Sequence, residues 1–309
     1  MQIIEGRTEF HIEGKSAVAI GKFDGIHKGH LALLEHILEQ KKRGLLAVVF
    51  TFYPSAFVFF GKGEEKELTP MEEKREFFRK LGIDVLIEFP LNKETAAISA
   101  RDFVTEILVE QMQAAYIAAG TDLSFGDQGK GNKELLVEMA GKLGFQVQII
   151  DKIMDEGREI SSSYVRKEIE QGNMEKVSDL LGRNYSVAGI VEEGNKLGRR
   201  LGMPTLNLYP SKDKLLPPNG VYYSYVILKE KRYKSITNIG HKPTVNDTLA
   251  VSVETYLYDF SEDMYGEKIV TELIHFKRPE RKFESLEALK AQMEADIAAG
   301  RFFHEHGIK

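Results

Sequence analysis

The chain has 309 residues, 42% apolar and 29% charged, which are the proportions of a soluble globular protein with room for two domains that each bury a core. Its 42 basic and 47 acidic residues leave a formal net charge of −5, so no basic excess points to nucleic acid. The absence of cysteine excludes disulfides, thiolate metal sites and cysteine nucleophiles. Residues Met1 to Arg7 lack the basic then apolar layout of a signal peptide. No apolar run approaches the ~20 residues that span a bilayer, so a cytoplasmic enzyme without a membrane partner is expected.

From residue 16 to about 151, short apolar runs alternate with amphipathic stretches, the pattern of a parallel sheet covered on both faces. Strands are predicted at 16–20, 45–52, 84–89, 114–119 and 146–151. Directly after the first comes Gly21-Lys22-Phe23-Asp24-Gly25-Ile26-His27-Lys28-Gly29-His30, and then a helix whose stripe begins with Leu34, Ile37 and Leu38 and runs to about Gly44. Glycine lets backbone approach a ligand closely. The free N–H groups and positive dipole end of a helix attract anions. His27 and His30 fall on one face of the first turn, where both can donate to phosphate oxygens. Ligands of such sheets bind outside the carboxyl ends of the strands, where this decamer sits.

Further along, Thr69-Pro70-Met71-Glu72 has the form of a capping box with Pro at the first helical position. Ser99 is a weaker cap ahead of Phe103, Ile107 and Leu108, and Asn132 is a cap for Leu136, Met139 and Leu143. Gly120-Thr121-Asp122-Leu123-Ser124-Phe125-Gly126 and Gly129-Lys130-Gly131-Asn132 form a polar loop able to wrap a flat ring and a phosphate. Ile160-Ser161-Ser162-Ser163-Tyr164-Val165-Arg166 puts hydroxyls at a helix start, with Arg166 offering a fixed fork to phosphate. Capping alone would explain one serine but not three and an arginine, a cation that the dipole disfavours there. Short helices at 163–171 and 174–181 close the unit, and Leu181-Gly182-Arg183 marks its boundary, giving domains 1–183 and 184–309.

Beyond 184 the rhythm changes. Residues 221–228, 233–239, 251–257 and 268–276 are rich in β-branched and aromatic residues and are separated by turn residues, which predicts a small antiparallel barrel. A final helix capped by Ser285 carries Leu286, Leu289, Met293 and Ile297 on one stripe. Gly194, Gly198 and Gly202, spaced by four, suit a flap whose amides fold over phosphates. Thr205 and Asn207, flanking Leu206 after Pro204, offer two oxygen ligands to Mg²⁺. Glu254 lies in an alternating strand, where a carboxylate is ordinarily a solvated face residue.

The decamer resembles the G-x-F-D-G-x-H-x-G-H signature of the nucleotidyltransferases that make flavin adenine dinucleotide. The loop 120–132 resembles their G-x-D-F-x-F-G, and 160–166 their I-S-S-T-x-I-R. Gly202 to Asn207 resembles the G-x-P-T-A-N motif of riboflavin kinases. Asn238 to Thr244, Val253-Glu254-Thr255, Asp259-Phe260, Tyr265-Gly266 and Arg278 to Phe283 follow in that family's order. The chain departs from these patterns at Ser55 and Ala56, where His and Pro are usual, at Lys22 for Asn, at Leu197 for Arg and at Leu206 for Ala.

The resemblance implies a Rossmann-like, doubly wound nucleotidyltransferase domain followed by a small antiparallel β-barrel riboflavin kinase domain with a C-terminal helix. It implies two reactions: riboflavin and ATP giving FMN, then FMN and a second ATP giving FAD and pyrophosphate. Glu254 would be the general base, with Thr205 and Asn207 as ligands of Mg-ATP. His27 and His30 would stabilise the transferring phosphoryl group, helped by Arg166 and helix N–H groups. Gly21, Phe23, Asp24, Gly25, Gly29, Ser161, Ser162 and Ser163 would line the nucleotide phosphates, and Asp122, Phe125 and Asn238 the flavin. Three alternatives stay open: a monofunctional enzyme, a flavin-sensing regulator, and a transferase acting on another phosphate. A homo-oligomer is also left open, and the remaining histidines read as structural or solvated.

Overall fold

The computed structural model describes residues 1–61, 66–194, 197–243, 249–262 and 264–307. The chain folds as two compact units, Met1–Ser162 and Ser163–Lys309. This division precedes the 183/184 boundary expected from the sequence, because helix Met174–Leu181 packs with the second unit. Glu175 Oε1 there lies 2.5 Å from His275 Nδ1, and Gly172, at φ 77°, leaves room for the Phe276 ring.

The first unit is built on a six-stranded, wholly parallel sheet. Its strands are β1 (Gln2–Glu5), β2 (Ser16–Ile20), β3 (Leu46–Tyr53), β4 (Val85–Pro90), β5 (Ala114–Gly120) and β6 (Gln146–Ile150), in the order β1-β4-β3-β2-β5-β6. All five residues of β2 are buried, as a central parallel strand covered on both faces requires. Val18 and Phe50 join Phe103, Val104 and Ile107 on one face, while Ala17, Val49 and Leu86 join Leu34, Ile37 and Phe78 on the other. The chain winds from β2 through β3 to β4 in one direction, then crosses to β5 on the other side of β2. The crevice between the carboxyl ends of β2 and β5 is therefore a topological switch point.

Three expected caps are present: Ser99 Oγ accepts from Asp102 N at 3.1 Å, Asn132 Oδ1 from Leu135 N at 2.9 Å, and Ser285 Oγ from Ala288 N at 3.1 Å. The capping box at Thr69 is not. Helix Met71–Leu81 starts one residue later than expected, with Pro70 at the cap position, because the Thr69 N–H is donated to the Asp24 carboxylate at 3.2 Å. The edge strand β1 and the hairpin β7 (Met154–Asp155) and β8 (Arg158–Glu159) were not anticipated, being too short to carry a pattern.

The second unit is a closed antiparallel barrel of β9 (Tyr185–Glu192), β10 (Leu206–Leu208), β11 (Gly220–Leu228), β12 (Lys231–Pro243), β13 (Leu249–Leu257) and β14 (Lys268–Pro279), ordered β10-β13-β12-β11-β14-β9. Four of these strands match the sequence reading, while β9 and β10, unforeseen, close the barrel. Its interior carries a run of buried hydroxyls: Ser224 Oγ lies 2.8 Å from both Ser235 Oγ and Thr237 Oγ1, and Thr237 Oγ1 lies 2.9 Å from Thr255 Oγ1. The C-terminal helix, Leu286–His306, turns Leu289, Met293 and Ile297 toward a cavity, but Leu286 is 56% exposed and does not belong to that stripe.

Two candidate active sites

The loop after β2 is pinned from beneath. Phe23 (φ 49°) and Ile26 (φ 44°) sit in the left-handed region, with Gly25 between them at φ 82°. Such dihedrals cost about 1–3 kcal/mol each for a side-chain-bearing residue. Both side chains are fully buried, Phe23 edge-on to Phe78 at 5.7 Å, and burial of two large apolar groups offsets much of that strain. Asp24, 1% exposed, accepts from Leu68 N at 2.8 Å through its carboxylate and from Ser162 Oγ at 2.8 Å through its carbonyl.

This scaffold delivers two rings to one point. His27 occupies the cap position of helix Lys28–Lys41 and His30 its first turn, and their rings stack 3.8 Å apart at 24°. A Cβ on Gly29 would stand 3.1 Å from the His27 ring, so glycine there keeps the imidazole in place. A cleft of about 420 Å³ opens over them, lined by Gly21, Lys22, His27, Gly29 and His30, by Asp122 and Ser124 after β5, by Lys152 after β6, and by Ser161 and Ser162.

Not every expected residue reaches it. Phe23, Asp24 and Gly25 shape the loop from behind, and none lines the cleft. Phe125, expected at the flavin, is instead 3% exposed and packs 5.4 Å from Phe103 in the core. The glycines around it serve that packing: Gly131 abuts the Phe125 ring, and a Cβ on Gly126 would stand 2.5 Å from Ala100 Cα. Ser162 lines the cleft but gives its proton to Asp24. Ser163, exposed, and Arg166, half-buried, belong to the second compact unit. Lys152 was overlooked. Its ammonium lies 2.6 Å from Glu159 and 3.1 Å from Asp122, and the Glu159 hydrogen bond holds it above its usual range, a fixed cation on the cleft wall.

Of the departures, Ser55 is buried and its Oγ accepts from Val58 N at 3.4 Å, capping the short helix Ala56–Phe59. Lys22 is exposed at the cleft rim. Leu206 is half-buried in β10. The side chains of Ala56 and Leu197, and Thr244 altogether, lie outside the described residues.

The barrel site is a single row across neighbouring strands. Asn207 of β10 pairs with Glu254 of β13, Glu254 with Asn238 of β12, Asn238 with Val221 of β11, and Val221 with Arg278 of β14. Directly paired residues of antiparallel strands share a face. Of that row, Glu254, Asn238, Val221 and Arg278 accordingly line a cavity of about 320 Å³, joined by Thr205, whereas Asn207 is buried and does not line it; the apolar wall includes Ile236, Tyr256 and Phe283 together with Leu289, Met293 and Ile297 of the final helix. The glycines of the expected flap take up different tasks. A Cβ on Gly194 would meet the Asn207 amide at 2.5 Å, one on Gly198 would strike the Met203 carbonyl and lie 3.3 Å from Thr205 Oγ1, and Gly202 supplies φ 84°.

Known proteins match nearly the whole length of the chain. Residues 10–164 match the FAD synthetase family and residues 181–303 the riboflavin kinase family. The bifunctional riboflavin kinase/FMN adenylyltransferase of Listeria monocytogenes is 35% identical, with 93% of this chain and 91% of that protein covered. The chain belongs to the bifunctional riboflavin kinase/FMN adenylyltransferase family. The Bacillus subtilis member is 34% identical over 92% of this chain and 91% of its own, and the Buchnera aphidicola member 35% identical over 99% of each. A solved structure described as a macrolide-efflux protein from Streptococcus pneumoniae, 29% identical, superposes with a TM-score of 0.84 over 97% of this chain and 98% of that one. Among the described residues of this family member, no helix is long and apolar enough to cross a membrane.

No group of three or more His, Cys, Asp or Glu side chains able to hold a metal occurs among the described residues. A Mg²⁺ ion that keeps waters and nucleotide phosphates in its shell needs only one or two protein oxygens. Thr205 and Asn207 fit that demand, each standing where a glycine leaves room beside it.

Proposed function

We propose that the chain phosphorylates riboflavin to FMN in the barrel cavity and adenylylates FMN to FAD in the cleft of the parallel-sheet unit, with domains at 1–183 and 184–309 as the functional division. The observation that carries this reading is that each unit has its own cleft, lined by the stacked histidines in one and by Glu254, Asn238 and Arg278 in the other.

In the barrel, Glu254 takes the proton of the riboflavin 5′-hydroxyl as that oxygen attacks the γ-phosphorus of ATP and ADP departs. Asn207 and Asn238, paired with Glu254 on either side, orient the groups around the carboxylate. Thr205 and Asn207 would hold Mg²⁺, which when bound neutralises phosphate charge. In the sheet unit, an oxygen of the FMN phosphate attacks the α-phosphorus of a second ATP and pyrophosphate leaves. That nucleophile is already an anion, so no base is needed. His27 and His30 donate to the transferring group at the positive end of their helix, where charge builds in the transition state. Asp122 contacts the flavin, and Ser161 and the loop amides bind nucleotide phosphates. Placement in the cytoplasm accords with the supply of ATP.

Two assays test the reading, riboflavin with Mg-ATP and FMN with Mg-ATP, each followed by separation of the flavins. FMN in the first and FAD with pyrophosphate in the second are expected. Tight flavin binding without turnover in both would overturn it in favour of a sensor.

A further inference from the structure

We infer that Asp296 is a positioning residue of the riboflavin site, holding Arg278 so that two of its N–H groups meet the carbonyl edge of the flavin ring. The inference rests on the kinase reading of the barrel.

Asp296 is 5% exposed on the final helix, in the stretch that otherwise presents Leu289, Met293 and Ile297 to the cavity. A buried carboxylate needs partners. It accepts from Arg278 Nε at 3.0 Å and Nη2 at 2.6 Å, and from Gln292 Nε2 at 2.8 Å. Arg278 also donates through Nη1 to the Pro279 carbonyl at 3.1 Å. These bonds occupy three of the five N–H groups that a guanidinium carries. One N–H on Nη1 and one on Nη2 have no acceptor among the described residues, although the Arg278 side chain is only 19% exposed and lines the cavity. Water in an open cavity meets such donors, and a ligand that displaces it leaves the N–H groups of a charged side chain unmatched, at a cost, unless it brings acceptors of its own.

The row of paired strands says which acceptor. Thr205 and Asn207 flank Glu254 at one end, where phosphoryl transfer is placed, and Arg278 stands three strands away through Asn238 and Val221. Three strand spacings are about 14 Å along the wall. A substrate whose hydroxyl meets Glu254 thus extends its ring toward Arg278, between the apolar helix stripe and Phe283. The polar atoms of that ring are its carbonyls, and the two N–H groups, fixed by the fork to Asp296, are donors of matching kind.

Steady-state kinase kinetics on the full chain test this, with riboflavin and with its 2-thio and 4-thio analogues, in which sulfur, a weak acceptor, replaces a ring carbonyl oxygen. For Asp296→Asn the KM for riboflavin should rise by about 10- to 100-fold, the KM for ATP should stay within about threefold, and FAD formation from FMN should match wild type. Wild type should disfavour at least one thio analogue, and Asp296→Asn should lose that discrimination. Arg278→Lys, which keeps the charge but not the fork, should behave likewise and decides the question if Asp296→Asn does not fold. Asp296→Glu should restore part of the riboflavin KM. Equal rises in both KM values, or undiminished discrimination in both variants, would overturn the inference and leave the kinase reading standing. A wild type that forms no FMN would overturn both.

Discussion

The two clefts solve one problem, holding a nucleotide phosphate near a nucleophile, with different materials. In the sheet unit, the site centres on a loop whose side chains mostly point away: Phe23 and Ile26 go into the core, Asp24 ties down residues 68 and 69, and of this loop Lys22, the histidines and backbone line the cleft. In the barrel, the site is a row of side chains on paired strands, from Asn207 to Arg278. A loop site depends on backbone shape and on where glycine is tolerated. A strand site depends on which functional group each register position carries. Substitutions should therefore act differently in the two.

The barrel should give the larger loss for a near-isosteric change. Glu254→Gln keeps the strand pairing and the cavity but removes the proton acceptor, so FMN formation should fall by about 10²- to 10⁴-fold while FAD formation from added FMN is unaltered. Equal loss of both activities would break the separation of the sites. In the sheet unit, His27→Ala with His30→Ala removes two donors aimed at developing charge. FAD formation should fall by about 10²- to 10³-fold, with kinase turnover intact as the internal control.

A finer test contrasts two glycines. Gly29→Ala puts a methyl 3.1 Å from the His27 ring, which can tilt by a few tenths of an ångström, and FAD formation should drop by about tenfold. Gly194→Ala brings a methyl to 2.5 Å from the Asn207 amide, beside the paired Glu254. It should raise the KM for Mg-ATP in the kinase assay by a similar factor while FAD formation is unaffected. Silence of both variants would mean that neither glycine is there for the site.

The doubly wound sheet was legible because its central strands are continuous apolar runs and its helices carry caps that the structure confirms at Ser99 and Asn132. The barrel was legible as a class but incomplete: β10 is three residues long, and β9 ends two residues before the glycines that suggested a flap. The histidines were visible from their spacing at a helix start after a strand, whereas Glu254 and Asn238 were singled out only by the resemblance to riboflavin kinases. What stayed hidden were roles that only tertiary contacts create. Phe125 looks like a ligand-stacking ring in a polar loop, yet Phe103 and Gly131 make it core. Thr69 looks like a cap, but its N–H answers to Asp24, forty-five residues earlier in the chain. Asp296 left one trace, an acid three residues beyond Met293 on an otherwise apolar stripe.

The smallest expected effect separates the units by pH. His304 is half-buried in the last turn of the final helix, its Nε2 lies 2.9 Å from the Ser235 carbonyl, and its ring stands edge-on to Tyr225 and Tyr258. Burial, outweighing the Ser235 hydrogen bond, lowers its pKa below the ordinary 6.5, and Lys234 and Arg232 push the same way. Its Nδ1 is buried with no partner among the described residues, so a proton added there would go unmatched. The folded chain thus binds a proton on His304 less readily than the unfolded chain does. The neutral ring's contribution is fully present above pH 6.5 and is lost as pH falls through the lower folded value. Between pH 7.5 and 5.5 the barrel of wild type should lose more thermal stability than that of His304→Gln, by less than about 4 °C. Hydrogen exchange read separately on strands of the barrel and of the sheet would locate the difference. An equal pH response in wild type and variant, or one confined to the sheet, would remove His304 as its source and leave the two units indistinguishable in this respect.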